Sequence, residues 1–474
     1  MRVTARIGRG LVVAAGALLM LWPALLNGYP LLYPDSMSYL GDGRPLARIL
    51  LLHAARGYVA MRSESYSLGI FFLHWNHTAW PIVVVQALLT AYILWLVVRS
   101  LNADAPNSPR MAVQFLTLVA LVSLTSSLAW YVCFVMPDIF GPVLYLAIYL
   151  LVFAHETLSR GERWAVAALA AWGMGAHSTH LMLAGLLCVL LALLLLLGWP
   201  PLRARGRAIG GVAAIVLFVA AAQIALHGYL YGKPSLFGVR MPYLTARIVA
   251  DGPGRWYLQQ HCATLDWAIC TRVNDLPDND DDFLWTEGGV WDAATPQQQQ
   301  QMLAQETPLV RATLRAYPGA QLRASFANFR TELGNFGLWD FTPNPWMQSE
   351  LDKVIPGALP RYLQTRQAES RLPADFFTTV QQWVVLAAAL AIAAGLPLLW
   401  IWRRWRMLGL VTVIVPAVIA NALITSVLSE VDSRYQARVI WLIPLVAGLM
   451  VVDLLQRREA ARRSDDALAR IALP

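Results

Sequence analysis

Long unbroken apolar runs dominate this 474-residue chain and decide what it can fold into. A helix needs about 20 apolar residues to cross a bilayer. Candidate runs lie at 10–28, 81–98, 111–131, 138–154, 164–177, 181–198, 209–227, 381–402, 407–428 and 438–455. Hydrocarbon offers no partner for backbone N–H and C=O groups, so such runs must become helices. The composition agrees: 57% of residues are apolar and 14% charged, where a soluble domain carries about a quarter charged. A disordered chain, a disulfide miniprotein and an ordinary soluble enzyme are excluded. The expected fold class is an all-α polytopic membrane protein with about ten transmembrane helices. Leu25-Leu26-Asn27-Gly28 is not a small-residue cleavage site, so the first run reads as an anchor and not a signal peptide.

The formal net charge is +8, and of the 37 basic residues only Lys233 and Lys353 are lysine. The arginines cluster beside the apolar runs, where positive charge holds loops in the cytoplasm, so no nucleic-acid partner is expected. Arg2, Arg6 and Arg9, then Arg99, Arg110, Arg160, Arg163, Arg203, Arg205 and Arg207 fall in segments that alternate to one side. Arg403, Arg404 and Arg406 and the tail with Arg457, Arg458, Arg462, Arg463 and Arg470 join them. Both termini are therefore expected in the cytoplasm, and the arginine-for-lysine usage suggests a bacterial inner (plasma) membrane. Residues 1–228 form an N-terminal transmembrane module with a first outer loop at 29–80. Residues 229–380 form an extracytoplasmic domain, mainly helical, and 381–474 a C-terminal transmembrane module with a cytoplasmic tail. In the outer domain, 298–334 has helical spacing, Asp280-Asp281-Asp282 reads as a solvated loop, and Cys262 and Cys270 suit a disulfide in an oxidising compartment.

Ionisable groups at the ends of membrane helices are costly and invite functional readings. Asp35 follows Pro34 just outside the first run, and Asp138 follows Pro137 at an otherwise uncharged outer turn. Each serves either as a helix cap or as a base at the membrane surface. His177 and His180 share a spacing of three with His74 and His77. They suit hydrogen bonding or phosphate contact better than a metal, since no cysteine or carboxylate spacing completes a site. No cofactor is firmly implied, although a divalent cation is compatible with the chemistry. In Ser433-Arg434-Tyr435-Gln436-Ala437-Arg438 two arginines lie four apart where short-loop arginine is disfavoured. They suit an anionic ligand, or pairing with Glu430 and Asp432, or lipid headgroups. Arg56, Arg62, Glu64 and Tyr66 stand among apolar residues, as in a helix lying at the interface.

An Asp in a long first outer loop, Pro-Asp at the third–fourth turn and Arg-Tyr near the last spans together resemble the GT-C superfamily of membrane glycosyltransferases. That superfamily includes the protein O-mannosyltransferases and the bacterial aminoarabinose transferase acting on lipid A. The resemblance covers the spans and the first outer loop, and it implies a GT-C-like fold and a polyprenyl-phosphate-linked sugar donor. The acceptor would be an envelope glycan, a lipid or a protein, with inversion at the anomeric carbon. It makes Asp35 the general base or the residue orienting the acceptor. Arg434, Arg438 and His180, with Arg62, would hold the donor phosphate, and Asp138, His177 and Tyr435 would line the substrate site. The protein mannosyltransferases often carry Asp-Glu in the first loop, whereas here Ser36 follows Asp35. The alternative is a transporter or flippase for an amphiphilic lipid-linked substrate, which would share the spans and the membrane-lipid contacts. It suits a site at mid-membrane better than polar groups at one surface.

Overall fold

A computed structural model describes residues 2–55, 57–102, 108–238 and 240–471, with the backbone alone for 2–7 and 458–471. Arg56 and the side chains of Arg2, Arg6, Arg458, Arg462, Arg463 and Arg470 lie outside the described residues. The described chain is helical without strands, its one β-bridge being a parallel pairing of Leu31 with Phe134. Among the described residues six helices are long and apolar enough to cross a membrane: Trp80–Leu101, Ser178–Leu196, Gly206–Tyr231, Ala374–Ile401, Trp405–Leu428 and Ser433–Arg457. The chain is thus a multi-pass helical membrane protein.

The remaining apolar runs also fall on helices, but shorter ones. The run at 10–28 is split into Arg2–Leu19 and Trp22–Asn27. Pro23 in the first turn of the second piece explains the break, since its ring clashes with the carbonyl four residues back. The run at 111–131 divides at Ser126, whose backbone is extended, into Pro109–Thr125 and Leu128–Val132. Pro137–Phe153 is apolar but short. The run at 164–177 belongs to Arg160–Gly175, whose first turn carries Arg160, Glu162 and Arg163, so its apolar stretch is shorter than the roughly 20 residues of a regular span.

The chain divides into two compact units, the first comprising residues 1–236, 337–418 and 437–474. Its centre is the helix Phe140–Phe153, buried along almost its whole length. Helices Trp80–Leu101 and Arg160–Gly175 pack on it, and Ala374–Ile401 packs on Leu442–Ile471. At one end of this unit the arginines meet carboxylates from other helices. Glu162 receives Arg99 at 2.8 Å and Arg9 at 3.1 Å, Glu156 receives Arg406 at 3.2 Å, and Arg404 pairs with Asp453. These pairs join helix ends distant in sequence, so the arginine-rich ends lie together as the charge asymmetry requires. Segment 337–373 belongs to this unit: Gln367 exchanges two hydrogen bonds with the Leu32 backbone and donates its own N–H to Asn27.

The second unit comprises residues 237–336 and 419–436, a narrower set than the 229–380 segment marked by composition. Val249, Leu258, Phe283, Met302 and Leu309 form its core. Cys262 and Cys270 are joined in a disulfide, their Cα atoms 5.3 Å apart. The helical stretch at 298–334 is two helices, Pro296–Ala316 and Pro318–Gly334, because Pro318 cannot continue the first. Asp280 is not a solvated loop residue. It opens the short helix Asp280–Leu284, is buried, and accepts a hydrogen bond from Arg247 at 3.2 Å.

Candidate functional site

The Leu31–Phe134 bridge sets the site in the first unit. The Leu31 N–H donates to the Cys133 carbonyl at 2.9 Å, and the Val135 N–H donates to the Leu31 carbonyl at 3.0 Å. From this bridge each strand-like segment runs the same number of residues to a Pro-Asp step that opens a helix. Pro34-Asp35 opens Pro34–Leu52, and Pro137-Asp138 opens the 3₁₀ turn Pro137–Ile139 leading into Phe140–Phe153. Proline suits a helix start because its missing N–H has no intrahelical partner there, and the carboxylate that follows is favoured by the helix dipole. A parallel bridge with equal offsets brings both acidic helix starts to the same side of the pairing.

The two carboxylates differ in their surroundings. Asp35 is part-exposed and paired with Arg62, the two side chains being 17% and 20% exposed. Asp138 is buried and faces Arg438, also fully buried, with 3.4 Å between Oδ1 and Nη1. Arg438 also donates to the Thr179 hydroxyl at 3.3 Å. Aromatic rings lie beside these pairs: Tyr39, one helical turn beyond Asp35, meets Tyr66 edge-on at 5.0 Å, and Tyr66 donates to Gln86 at 2.8 Å. Gly43 lets the two outer-loop helices Pro34–Leu52 and Glu64–His74 touch, since a Cβ there would sit 2.5 Å from the Ser67 carbonyl.

The histidines have distinct jobs. His177 caps Ser178–Leu196, its Nδ1 accepting from the Thr179 N–H at 3.3 Å, so its hydrogen is on Nε2. His180 is fully buried, with Nδ1 2.9 Å from the Gly173 carbonyl. A carbonyl only accepts, so Nδ1 carries the hydrogen and Nε2 is an acceptor. Nε2 is buried without a hydrogen bond among the described residues. Gly141 makes room for it: a Cβ at that position would lie 2.9 Å away. The two rings are 5.2 Å apart. His74 ends its helix with Nδ1 accepting from the Asn76 N–H at 3.0 Å, and burial pulls its pKa down to about 4. No group of three or more His, Cys, Asp or Glu able to hold a metal occurs among the described residues.

Arg434 belongs to the second unit, where carboxylates surround it. Its guanidinium is 4.0 Å from Glu430 and 4.0 Å from Asp432 and lies over the Tyr435 ring at 5.0 Å. Tyr435 donates to Glu430 at 2.8 Å. Burial, then repulsion from Asp281 and Asp432, pushes Glu430 well above the usual carboxylate range, and it shares a hydrogen bond with Asp281. Of the readings open for this arginine in the sequence, pairing with Glu430 and Asp432 is the arrangement present.

Two residues that the sequence reading passed over complete the outer loop. Asp42, buried, accepts from the Tyr58 hydroxyl and from the Met61 N–H at 3.1 Å, pinning the chain after Pro34–Leu52 back onto that helix. His227 joins Glu64: Nδ1 donates to the Ser235 carbonyl at 2.6 Å, and Nε2 faces the Glu64 carboxylate at 3.3 Å. Tyr231 donates to the other Glu64 oxygen at 2.6 Å. Burial would raise the Glu64 pKa, but the hydrogen bonds from His227 and Tyr231 outweigh it and hold it below the usual carboxylate range. A carboxyl with a lowered folded pKa contributes stability fully above its unfolded value of about 4.3 and loses it as pH falls through the folded value. Glu64→Gln is therefore expected to cost about 1–3 kcal/mol at pH 7, with the gap in thermal midpoint from wild type narrowing as pH drops below 4. A gap of constant size across that range would disprove the linkage.

No family model matches this chain, and neither a curated protein nor a solved structure shows significant similarity to it.

Proposed function

We propose that this chain is a GT-C-type integral-membrane glycosyltransferase. It moves a sugar from a polyprenyl-phosphate donor to an envelope glycan, lipid or protein acceptor. The reaction runs on the extracytoplasmic face of a bacterial inner membrane and inverts the anomeric carbon. In this reading all ten apolar runs lie within the bilayer, the shorter ones as broken spans, and both termini are cytoplasmic. The observation that carries it is the pairing of two unlike Pro-Asp helix starts by one bridge: Asp35 part-open beside Arg62, and Asp138 sealed against Arg438.

Asp35 takes the proton of the acceptor hydroxyl as that oxygen attacks the anomeric carbon. The bond from the anomeric carbon to the phosphate oxygen breaks, and polyprenyl phosphate leaves with the electron pair. Arg62, beside Asp35 and part-exposed, is the cation best placed to take up that charge. Arg438 is committed to Asp138, so its part is to fix the buried Asp138–Thr179 layer. His180 Nε2 and His177 remain candidates for polar contact with the substrate.

The test is glycan profiling of a strain lacking the protein, together with the full-length chain in nanodiscs supplied with radiolabelled polyprenyl-phosphate sugars. The expected outcome is loss of one sugar from one envelope component and transfer of that sugar by the purified chain. Movement of the lipid-linked donor across proteoliposomes without transfer would replace this reading with the carrier.

A further inference from the structure

We propose that the outer-loop helix carries a binding site for the headgroup of an anionic phospholipid, built on Arg44 and Arg48. The inference stands apart from the sugar-transfer reading. The two arginines lie one turn apart on Pro34–Leu52 and so share a helix face. Both are exposed, and neither guanidinium has an ion pair or hydrogen bond among the described residues. They line a cavity of about 340 Å³ with Pro45, Ile49, Ala54, Ala55 and Tyr58. The Tyr58 wall is fixed in place: Asp42 accepts from the Tyr58 hydroxyl and the Met61 N–H, and the Ala60 N–H donates to Tyr231 at 3.3 Å.

The rim names the ligand class. Leu51 and Leu52, three and four residues beyond Arg48 on the same helix, are 57% and 75% exposed, so an apolar border follows the two cations along that face. A soluble anion gains nothing from that border. A phosphodiester with acyl chains satisfies both: its phosphate meets the guanidinium forks, and its chains lie along the leucines, as for an interfacial amphipathic helix.

The experiment uses the full-length chain in phosphatidylcholine nanodiscs, with a fluorescent phosphatidylglycerol as probe. Arg44→Gln/Arg48→Gln is expected to weaken binding about thirtyfold, the equivalent of about 2 kcal/mol at about 1 kcal/mol for each basic residue at a membrane surface. Arg44→Lys/Arg48→Lys is expected to keep most of it. Unchanged affinity in the Gln variant, or equal loss in both variants, overturns the site. Displacement of the probe by millimolar inorganic phosphate, or by polyprenyl phosphate ahead of unlabelled phosphatidylglycerol, overturns the assignment to a phospholipid. Should the Gln variant not fold, salt decides: wild-type binding must fall as sodium chloride rises from 50 to 500 mM, and salt-independent binding overturns the proposal.

Discussion

Asp35→Asn is expected to lower sugar transfer at least a hundredfold while the protein stays folded in the membrane. A positioned general base contributes roughly 10²–10⁴-fold, and an amide cannot take the proton. Asn keeps the size of Asp at the second position of Pro34–Leu52, where Asp35 is a first-turn acid and Tyr33 is the N-cap. The local fold has a second support in Ser36, whose hydroxyl accepts from the Tyr33 N–H at 3.0 Å. Loss of the ion pair to Arg62 costs little, because both partners are part-exposed. The variant thus separates chemistry from stability: its thermal midpoint stays near that of wild type while turnover collapses. Transfer at the wild-type rate by Asp35→Asn would remove Asp35 from the reaction and leave it as a first-turn acid on the helix dipole.

The membrane helices were legible because an apolar run long enough to cross a bilayer has no other stable form. Where the run contained Pro23, or began beside Arg160, Glu162 and Arg163, its length did not show that the helix is broken or short, since a proline or a charged turn shortens the apolar helix. The one-ended gathering of arginine was legible too, although its partners Glu156, Glu162 and Asp453 were not singled out. Asp35 and Asp138 stood out because each follows proline at the edge of an apolar run. Their placement by a common bridge was not legible, because a single pair of residues, Leu31 and Phe134, leaves no strand pattern. Asp42 and His227 were missed for a different reason. Each sits within a helix, and the His227 partner Glu64 is 163 residues away. Nothing local distinguishes a histidine that meets a carboxylate across the fold from one that packs in a core. For Arg434 the sequence offered its local partners Glu430 and Asp432, but for Arg438 it did not show the carboxylate it faces, because Asp138 is 300 residues away.

Arg438→Met is expected to be among the most destabilising single changes in the chain. It leaves Asp138, 3% exposed, as a buried charge whose counter-ion is gone, and breaking such a pair by removing one partner costs about 3–5 kcal/mol. Removing both is different. Asp138→Leu/Arg438→Met replaces the ions with apolar groups of comparable bulk, and such exchanges are often neutral. The double variant should therefore recover most of the lost thermal midpoint in detergent, with a coupling between the two sites far from additive. Additive losses in the double variant would show that Arg438 answers to something other than Asp138. The same protein then separates two roles for the arginine. If Arg438 acts only by fixing the layer of Asp138 and Thr179, the refolded double variant retains binding of a polyprenyl-phosphate sugar. If its guanidinium contacts the donor phosphate, the double variant is stable but binds the donor more weakly, and the phosphate contact moves from Arg62 to Arg438.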